Sequence, residues 1–309
     1  MAAQKTQAQR AAHEEARRAA WDQPGATAGT LAGVTAWVML ASKPRPHWHL
    51  LTEGLWRLGF ELSLKVVKER DEVAPPAWAL ALLERQIRRA QAQPGPLPDG
   101  SWCVVEAAPM VPGADSDLGA LAFARDSSFP SIHTPWVQIP VWQLVPLTRD
   151  EARLVREWSP AGLLEVLAAV DPPLIADAAR PSLLQSPRAR LAIEQRVARE
   201  GSSLSAMQSR VSKVARARDG ATWRMSADAV DTFLALLKGR TAHQRSFTVK
   251  GAGAPVEVRP GDLPALEAGD EGHVLKLSQA AARALRAQVK ARAGRYAIDA
   301  LPGFALEVV

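Results

Sequence analysis

Gly59-Phe60-Glu61-Leu62-Ser63-Leu64-Lys65-Val66-Val67-Lys68 alternates as a strand does, with Phe60, Leu62, Leu64 and Val66 on one face and Glu61, Ser63 and Lys65 on the other. No other stretch has so clear a local pattern. Upstream, Leu31 to Ala41 (LAGVTAWVMLA) reads as a buried strand. Downstream, Pro75 and Pro76 open AWALALLERQIRRAQA, where Leu80, Leu83 and Ile87 fall at helical spacing, and Pro94 to Pro98 close it. A helix is therefore expected over one face of a sheet.

The same alternation of elements continues. Trp102 to Glu106, Leu118 to Ala124 and Val137 to Val145 are strand-like runs separated by Pro and Gly turns. Thr148 and Glu151 stand at capping-box spacing ahead of a short helix, Ser159-Pro160 opens a second, and Ser186-Pro187 starts a third that stops at Gly201. Residues 201–222 are polar and basic and read as a linker. Beyond them lie a helix from Ser226, a hairpin-like pair at Ser246–Lys250 and Val256–Arg259, and a strand at Val274–Leu277. Ser278 then caps a helix running to Gly294, and two strands flank Pro302-Gly303. The expectation is an α/β fold of the α+β type in two domains, each a mixed sheet flanked by helices. A poorly ordered or helical extension occupies 1–30, the first domain 31–200, the linker 201–222 and a smaller domain 223–309.

The chain has 309 residues, 47% hydrophobic and 23% charged, enough to bury two cores and too apolar for a disordered protein. Ten Trp against one Tyr make indoles the expected packing centres. The net charge of +6 is concentrated between Arg188 and Arg224, where nine basic residues meet three acidic ones. That segment lacks the interleaved aromatics of a base-stacking surface, so nucleic-acid binding through 188–224 stays an alternative and a solvated face is the main reading. A lone cysteine, Cys103, fits a reducing compartment. No apolar run approaches the length of a membrane span and no signal-like leader is visible, so a cytoplasmic location is expected.

Candidate chemistry is sparse. His47 and His49 share one side of a strand at a spacing a metal can use, but no third ligand lies nearby in sequence, so no metal is expected. Cys103 sits in an apolar run, the usual setting of a packing residue. Asp71, Glu72, Asp115, Asp117 and Asp126 are spread over loops. An enzyme built from such carboxylates is the competing class, although spacing selects no pair and the common nucleophile, phosphate-loop and zinc motifs are missing.

Several stretches together resemble the Suppressor of fused (SUFU) family. Pro46-His47-Trp48-His49 with Gly54-Leu55 is similar to the family's PHWH…GL segment. Gly59-Phe60-Glu61-Leu62 followed by Ala74-Pro75-Pro76-Ala77-Trp78 resembles GFEL…APPxW, and Ala124-Arg125-Asp126, Thr134-Pro135 and Gln143 resemble its acidic turn, TP and strand Gln. Glu200 to Ser205 and Leu236 to Lys250 extend the likeness into the second half. The resemblance implies a two-domain protein that binds other polypeptides, without catalysis or cofactor. Eukaryotic members clamp an extended peptide of a Gli-type transcription factor between the domains, with an Asp that aligns with Asp126. Bacterial members are regarded as immunity proteins that neutralise polymorphic toxins. The Ala- and Arg-rich composition resembles the bacterial branch, so a toxin is the partner implied, with Asp126 at a cleft between the domains.

Overall fold

The computed structural model describes residues 26–93, 103–105, 110–112, 116–133, 138–218 and 220–309. The chain divides into two units, one comprising 1–152 and 160–186, the other 153–159 and 187–309.

The first unit is built on a sheet of β1 (Thr27–Leu31), β2 (Val34–Ala41), β3 (His47–Glu53), β4 (Glu61–Val67), β5 (Cys103–Val105), β6 (Leu118–Arg125), β7 (Ser131–His133) and β8 (Gln138–Thr148). Its order is β1-β2-β3-β4-β8-β6-β5, with β7 also on β8. All pairs are antiparallel except β4 with β8. The strand that decides the sequence reading is thus central. Leu62 and Leu64 bury one of its faces against Leu82, Leu83 and Ile87 of α1 (Ala77–Ala92), which Ala79 completes. Past the reach of β8, the edge of β4 is closed by Ala176: its N–H donates to the Lys65 carbonyl at 2.8 Å, and the Val67 N–H donates to its carbonyl at 2.9 Å.

Two expectations at the amino-terminal end change. Leu31 to Ala41 is a hairpin: the chain turns at Ala32 and Gly33, both at positive φ (48° and 78°), so Leu31 closes β1 and Val34 opens β2. The expected extension 1–30 therefore ends in a sheet strand from Thr27, while its first 25 residues lie outside the described ones. At the other end, Glu151 supplies one half of the expected capping box by accepting the Thr148 N–H at 2.9 Å, and α2 (Arg149–Glu157) follows. The same carboxylate holds Arg180 through two bonds of 2.8 and 2.6 Å and takes the Leu183 N–H. This fully buried acid pins the chain beyond α3 (Pro160–Val170).

The second unit contains α4 (Pro187–Glu200), β9 (Ala206–Gln208), β10 (Lys213–Ala217), β11 (Gly220–Met225), α5 (Ala227–Leu236), β12 (Phe247–Lys250), β13 (Val256–Pro260), β14 (Ala265–Ala268), β15 (His273–Leu277), α6 (Gln279–Gln288), β16 (Gly294–Ala297) and β17 (Phe304–Val308). One sheet runs β10-β11-β17-β16 and the other β14-β15-β13-β12-β9. Trp223 and Phe233 meet edge to face at 5.3 Å in the core, and the Trp223 N–H donates to the Ser212 hydroxyl. Trp158 is likewise fully buried with its N–H on Glu200, so these indoles are packing centres with a satisfied donor.

The segment 201–222 is not a linker. It carries β9, β10 and the first residues of β11, and β11 pairs in parallel with β17. The strands are too short and too basic to stand out by hydropathy, and two of them, β9 and β11, pair with strands distant in sequence. Expected as part of the first domain, α4 belongs to the second unit, where Arg196 stacks over Trp158 at 4.7 Å and Glu200 takes its indole N–H. The helix expected to reach Gly294 stops at Gln288, because Val289 turns extended (ψ 138°) with its side chain fully buried.

Gly201 ends α4 in the left-handed region (φ 62°), and a Cβ there would collide with the Gly239 carbonyl and the His243 ring. Gly201→Ala is expected to lower stability in chemical denaturation by about 2 kcal/mol or more. Gly29→Ala in β1, where nothing lies within 4 Å of the new Cβ, should change it by less than about 0.5 kcal/mol.

Candidate functional site

The polar face of β4 is as buried as the apolar one: Glu61, Ser63 and Lys65 are all fully inaccessible. A central strand with a sheet neighbour on each side leaves its side chains only the two faces, and here both are covered. Polar groups placed there require partners inside the protein.

Lys65 and Ser63 find theirs in Asp126, itself 0% exposed, at the end of β6 where the chain leaves the sheet before re-entering as β7. The Lys65 ammonium lies 3.1 Å from Asp126 Oδ1 and donates to the Ser127 hydroxyl at 2.9 Å. Ser63 donates to Asp126 Oδ2 at 2.5 Å. His49, directly across β3 from Lys65, places Nε2 2.9 Å from the same Oδ2. The remaining capacity of Oδ1 is taken by the backbone N–H groups of Ser128 (2.7 Å) and Phe129 (3.0 Å), an Asx-type turn. Burial alone would raise the Asp126 carboxyl. The hydrogen bond and charge from His49, the charge of Lys65 and the Ser63 hydroxyl outweigh it and hold the group well below the usual carboxylate range.

His47 and His49 do share a face, with ring centroids 6.5 Å apart. His47 spends Nδ1 on the Arg45 carbonyl at 2.8 Å, and burial, reinforced by His49, Lys65 and Arg45, lowers its pKa. Among the described residues no group of three His, Cys, Asp or Glu could hold a metal. Nor is a nucleophile–base pair formed, because the Ser63 hydroxyl points at the carboxylate and not at a histidine nitrogen. The cluster holds backbone in place: it ties β3, β4 and the β6–β7 connection to one point and fixes the exposed Ser127 and Ser128 above it. Asp126 is thus a buried carboxylate with five partners inside the protein.

The other loop carboxylates do not assemble. Glu72 accepts the Glu69 N–H and lies 3.3 Å from the Trp48 indole nitrogen, and no hydrogen bond joins any two of Asp71, Glu72, Asp117 and Asp126. Asp115, Thr134, Pro135 and the Cys103 side chain lie outside the described residues. Gln143, beside Ser63 in the sheet, donates to the carbonyls of Pro173 and Leu174 and so holds a turn whose Leu174 stands at φ 53°.

Sequence reasoning missed Glu61. Its carboxylate accepts the N–H groups of Gly54 and Trp56, both at 2.9 Å, and faces the Thr52 hydroxyl at 2.6 Å, which fastens the β3–β4 connection. The available signal was Gly54 and Gly59, whose positive φ (132° and 92°) mark a loop in need of an acceptor. Burial pushes Glu61 up to about 7 against those hydrogen bonds. The protonated form is accommodated: its O–H can donate to Thr52 Oγ1 while the Thr52 hydroxyl turns to the Leu62 carbonyl, 3.2 Å away.

A family profile described as Suppressor of fused protein (SUFU) matches residues 32–181. The Suppressor of fused homologs of Homo sapiens and Mus musculus are each 25% identical over 175 residues, covering 54% of this chain and 35% of their own. The chain thus spans about a third of the length of the curated relatives it matches. In fold it is similar to Drosophila Suppressor of Fused (TM-score 0.65, 15% identity, 97% of this chain and 87% of that one). It is also similar to a chain of the Sufu-Fu complex (TM-score 0.52, 18% identity, 60% and 96%).

Two pH effects of opposite sign follow. A raised native pKa at Glu61 means that its contribution is fully present below about pH 4.5 and is lost as pH climbs to about 7. The depressed Asp126 stabilises above the ordinary aspartate range and ceases to do so as pH falls through it. Glu61→Gln, whose amide reproduces the protonated acid, should flatten the stability curve between pH 5 and 7 and gain roughly 2–3 kcal/mol over the native chain at pH 8. Equal slopes for the two proteins in urea titrations would contradict this. Lys65→Met, which strands Asp126, should cost about 3 kcal/mol or more in the same titrations.

Proposed function

Because the chain belongs to the Suppressor of fused family, we propose that it acts by holding another polypeptide, without catalysis or cofactor. The observation that carries this reading is the use of the polar cluster: both oxygens of Asp126 are bonded inside the protein, Oδ1 to the backbone of the β6–β7 connection and Oδ2 to β3 and β4, which supports reading the exposed loop above it as a contact surface held in place. A member of the family stands in the Sufu-Fu complex with a protein partner, in support of the same mode. Asp126 then has a positioning role, and Arg125, Ser127 and Ser128, all exposed, make the contact. Among the described residues no helix is long and apolar enough to cross a membrane.

The finer assignment is an immunity protein whose partner is a polymorphic toxin, with the cytoplasm as the place of action. The likeness of the PHWH, GFEL and APPxW stretches to the family and the Ala- and Arg-rich composition support it. Co-expression with a toxin domain encoded beside this chain should restore growth and yield a complex on co-purification. Ser128→Arg should weaken that complex about tenfold or more with an unchanged melting temperature, whereas Asp126→Ala should lower the melting temperature as well. An intact complex with Ser128→Arg would move the contact elsewhere.

A further inference from the structure

The basic excess between Arg188 and Arg224 is not evenly available. Five of its nine cations are paired: Arg190 with Glu194, Arg196 and Arg199 with Glu200, Arg210 with Asp228 and Arg224 with Glu307. No carboxylate among the described residues pairs with the other four, Arg188, Lys213, Arg216 and Arg218. Three of those four lie on β10 and its turn.

β10 is also an edge. It pairs with β11 on one side, and among the described residues no strand pairs with the other. Ala217 pairs with Gly220 across a two-residue connection, so Ala217, Ala215 and Lys213 exchange hydrogen bonds with β11, and the N–H and C=O groups of Val214 and Arg216 point outward. The Gly253 N–H caps the Ser212 carbonyl at 2.8 Å, just before this open stretch. Four of the five residues of β10 are exposed. Beside it, between Arg216 and Ala217 on one wall and Ala265 and Leu266 of the edge strand β14 on the other, lies a cavity of about 340 Å³ floored by Leu301 and Phe304. Arg216 spans its mouth to the Leu266 carbonyl at 3.1 Å.

We propose that β10 takes an acidic, extended peptide as an added strand, its carboxylates on Lys213, Arg216 and Arg218 and one apolar side chain in the cavity. Backbone pairing to the outward groups of Val214 and Arg216 supplies affinity, and the cations select the guest. A nucleic-acid strand would meet the same charge but has no use for outward peptide groups or for the Leu301 and Phe304 floor of the cavity, and no described aromatic side chain is exposed on β10 to stack its bases. The inference rests on the protein-binding reading, yet the two fail separately, because the test below involves neither a toxin nor the loop at Ser128.

The probe is a fluorescein-labelled heptapeptide of glutamates with a single central leucine, which offers carboxylates to both faces of β10, followed by anisotropy. Matched probes are the same peptide with lysine for glutamate and an oligo-dT of twenty nucleotides. The acidic peptide should bind, weaken steeply between low and physiological salt, and lose about tenfold or more in affinity on the triple change Lys213→Glu, Arg216→Glu and Arg218→Glu. In the unmodified protein, hydrogen exchange at the Val214 and Arg216 amides should slow at least about tenfold on saturation with peptide. Tighter binding of the oligonucleotide, equal affinity of the triple variant, or unchanged exchange at those two amides would each overturn the proposal.

Discussion

The Lys65 ammonium and the Asp126 carboxylate lie 3.1 Å apart with neither exposed to water, and the order of the first unit depends on their meeting. Either ion alone in that place would carry a desolvation cost of several kcal/mol. Together, with His49, Ser63 and two backbone N–H groups, they form a closed set. Such a set is intolerant of slippage. Shifting β4 by one residue would send Lys65 to the side of α1 and bring Leu64 against a carboxylate, so the apolar and polar faces enforce the same register from opposite sides. The rest of the sheet is arranged around that register: β3 brings His49, β6 delivers Asp126 and β8 lies between β4 and β6.

Much of this frame is legible in the sequence. The alternation from Phe60 to Val66, the helix after Pro75-Pro76, the Thr148–Glu151 cap and the hairpin around Gly251 all follow from local rules, and local rules suffice where one face is clearly apolar. His47, His49 and Asp126 also stand out, each for its own chemistry. That His49 and Asp126 serve one interior cluster does not stand out, because it depends on β4 being central, and centrality is a property of strand order. The same holds for Glu61, whose partners lie in a loop, and for β9 to β11. Their Arg-Asp-Gly turn signals a hairpin, but their low hydropathy signals a linker, and the deciding parallel pairing with β17 joins residues some eighty positions apart.

The two units settle polar burial differently. In the second, the described interior is almost wholly apolar, with Trp223, Phe233 and Phe247 in contact and hydroxyl side chains such as Ser209, Ser212, Ser226 and Thr241 admitted, each bonded to a neighbour. Its charges stay outside, and several are paired across one helical turn or between adjacent strands. Surface pairs of that kind contribute little to stability. Their effect is on what the surface can attract, since they pair five of the nine cations of the basic run and leave three of the other four on one hairpin.

Ala176 has a further consequence. By bonding to both sides of Val66, this residue makes the polypeptide its own neighbour along β4, a form of self-complementation in which a connection between Asp171 and Asp177 does the work of a strand. Arg45 clips both ends of that connection, at 2.9 and 3.7 Å from the two aspartates. A protease nick inside it would leave composition and net charge unchanged but uncover a central strand rather than a peripheral one. The nicked molecule would then be prone to exchange segments with its copies, and association in a nicked preparation would report on this clip.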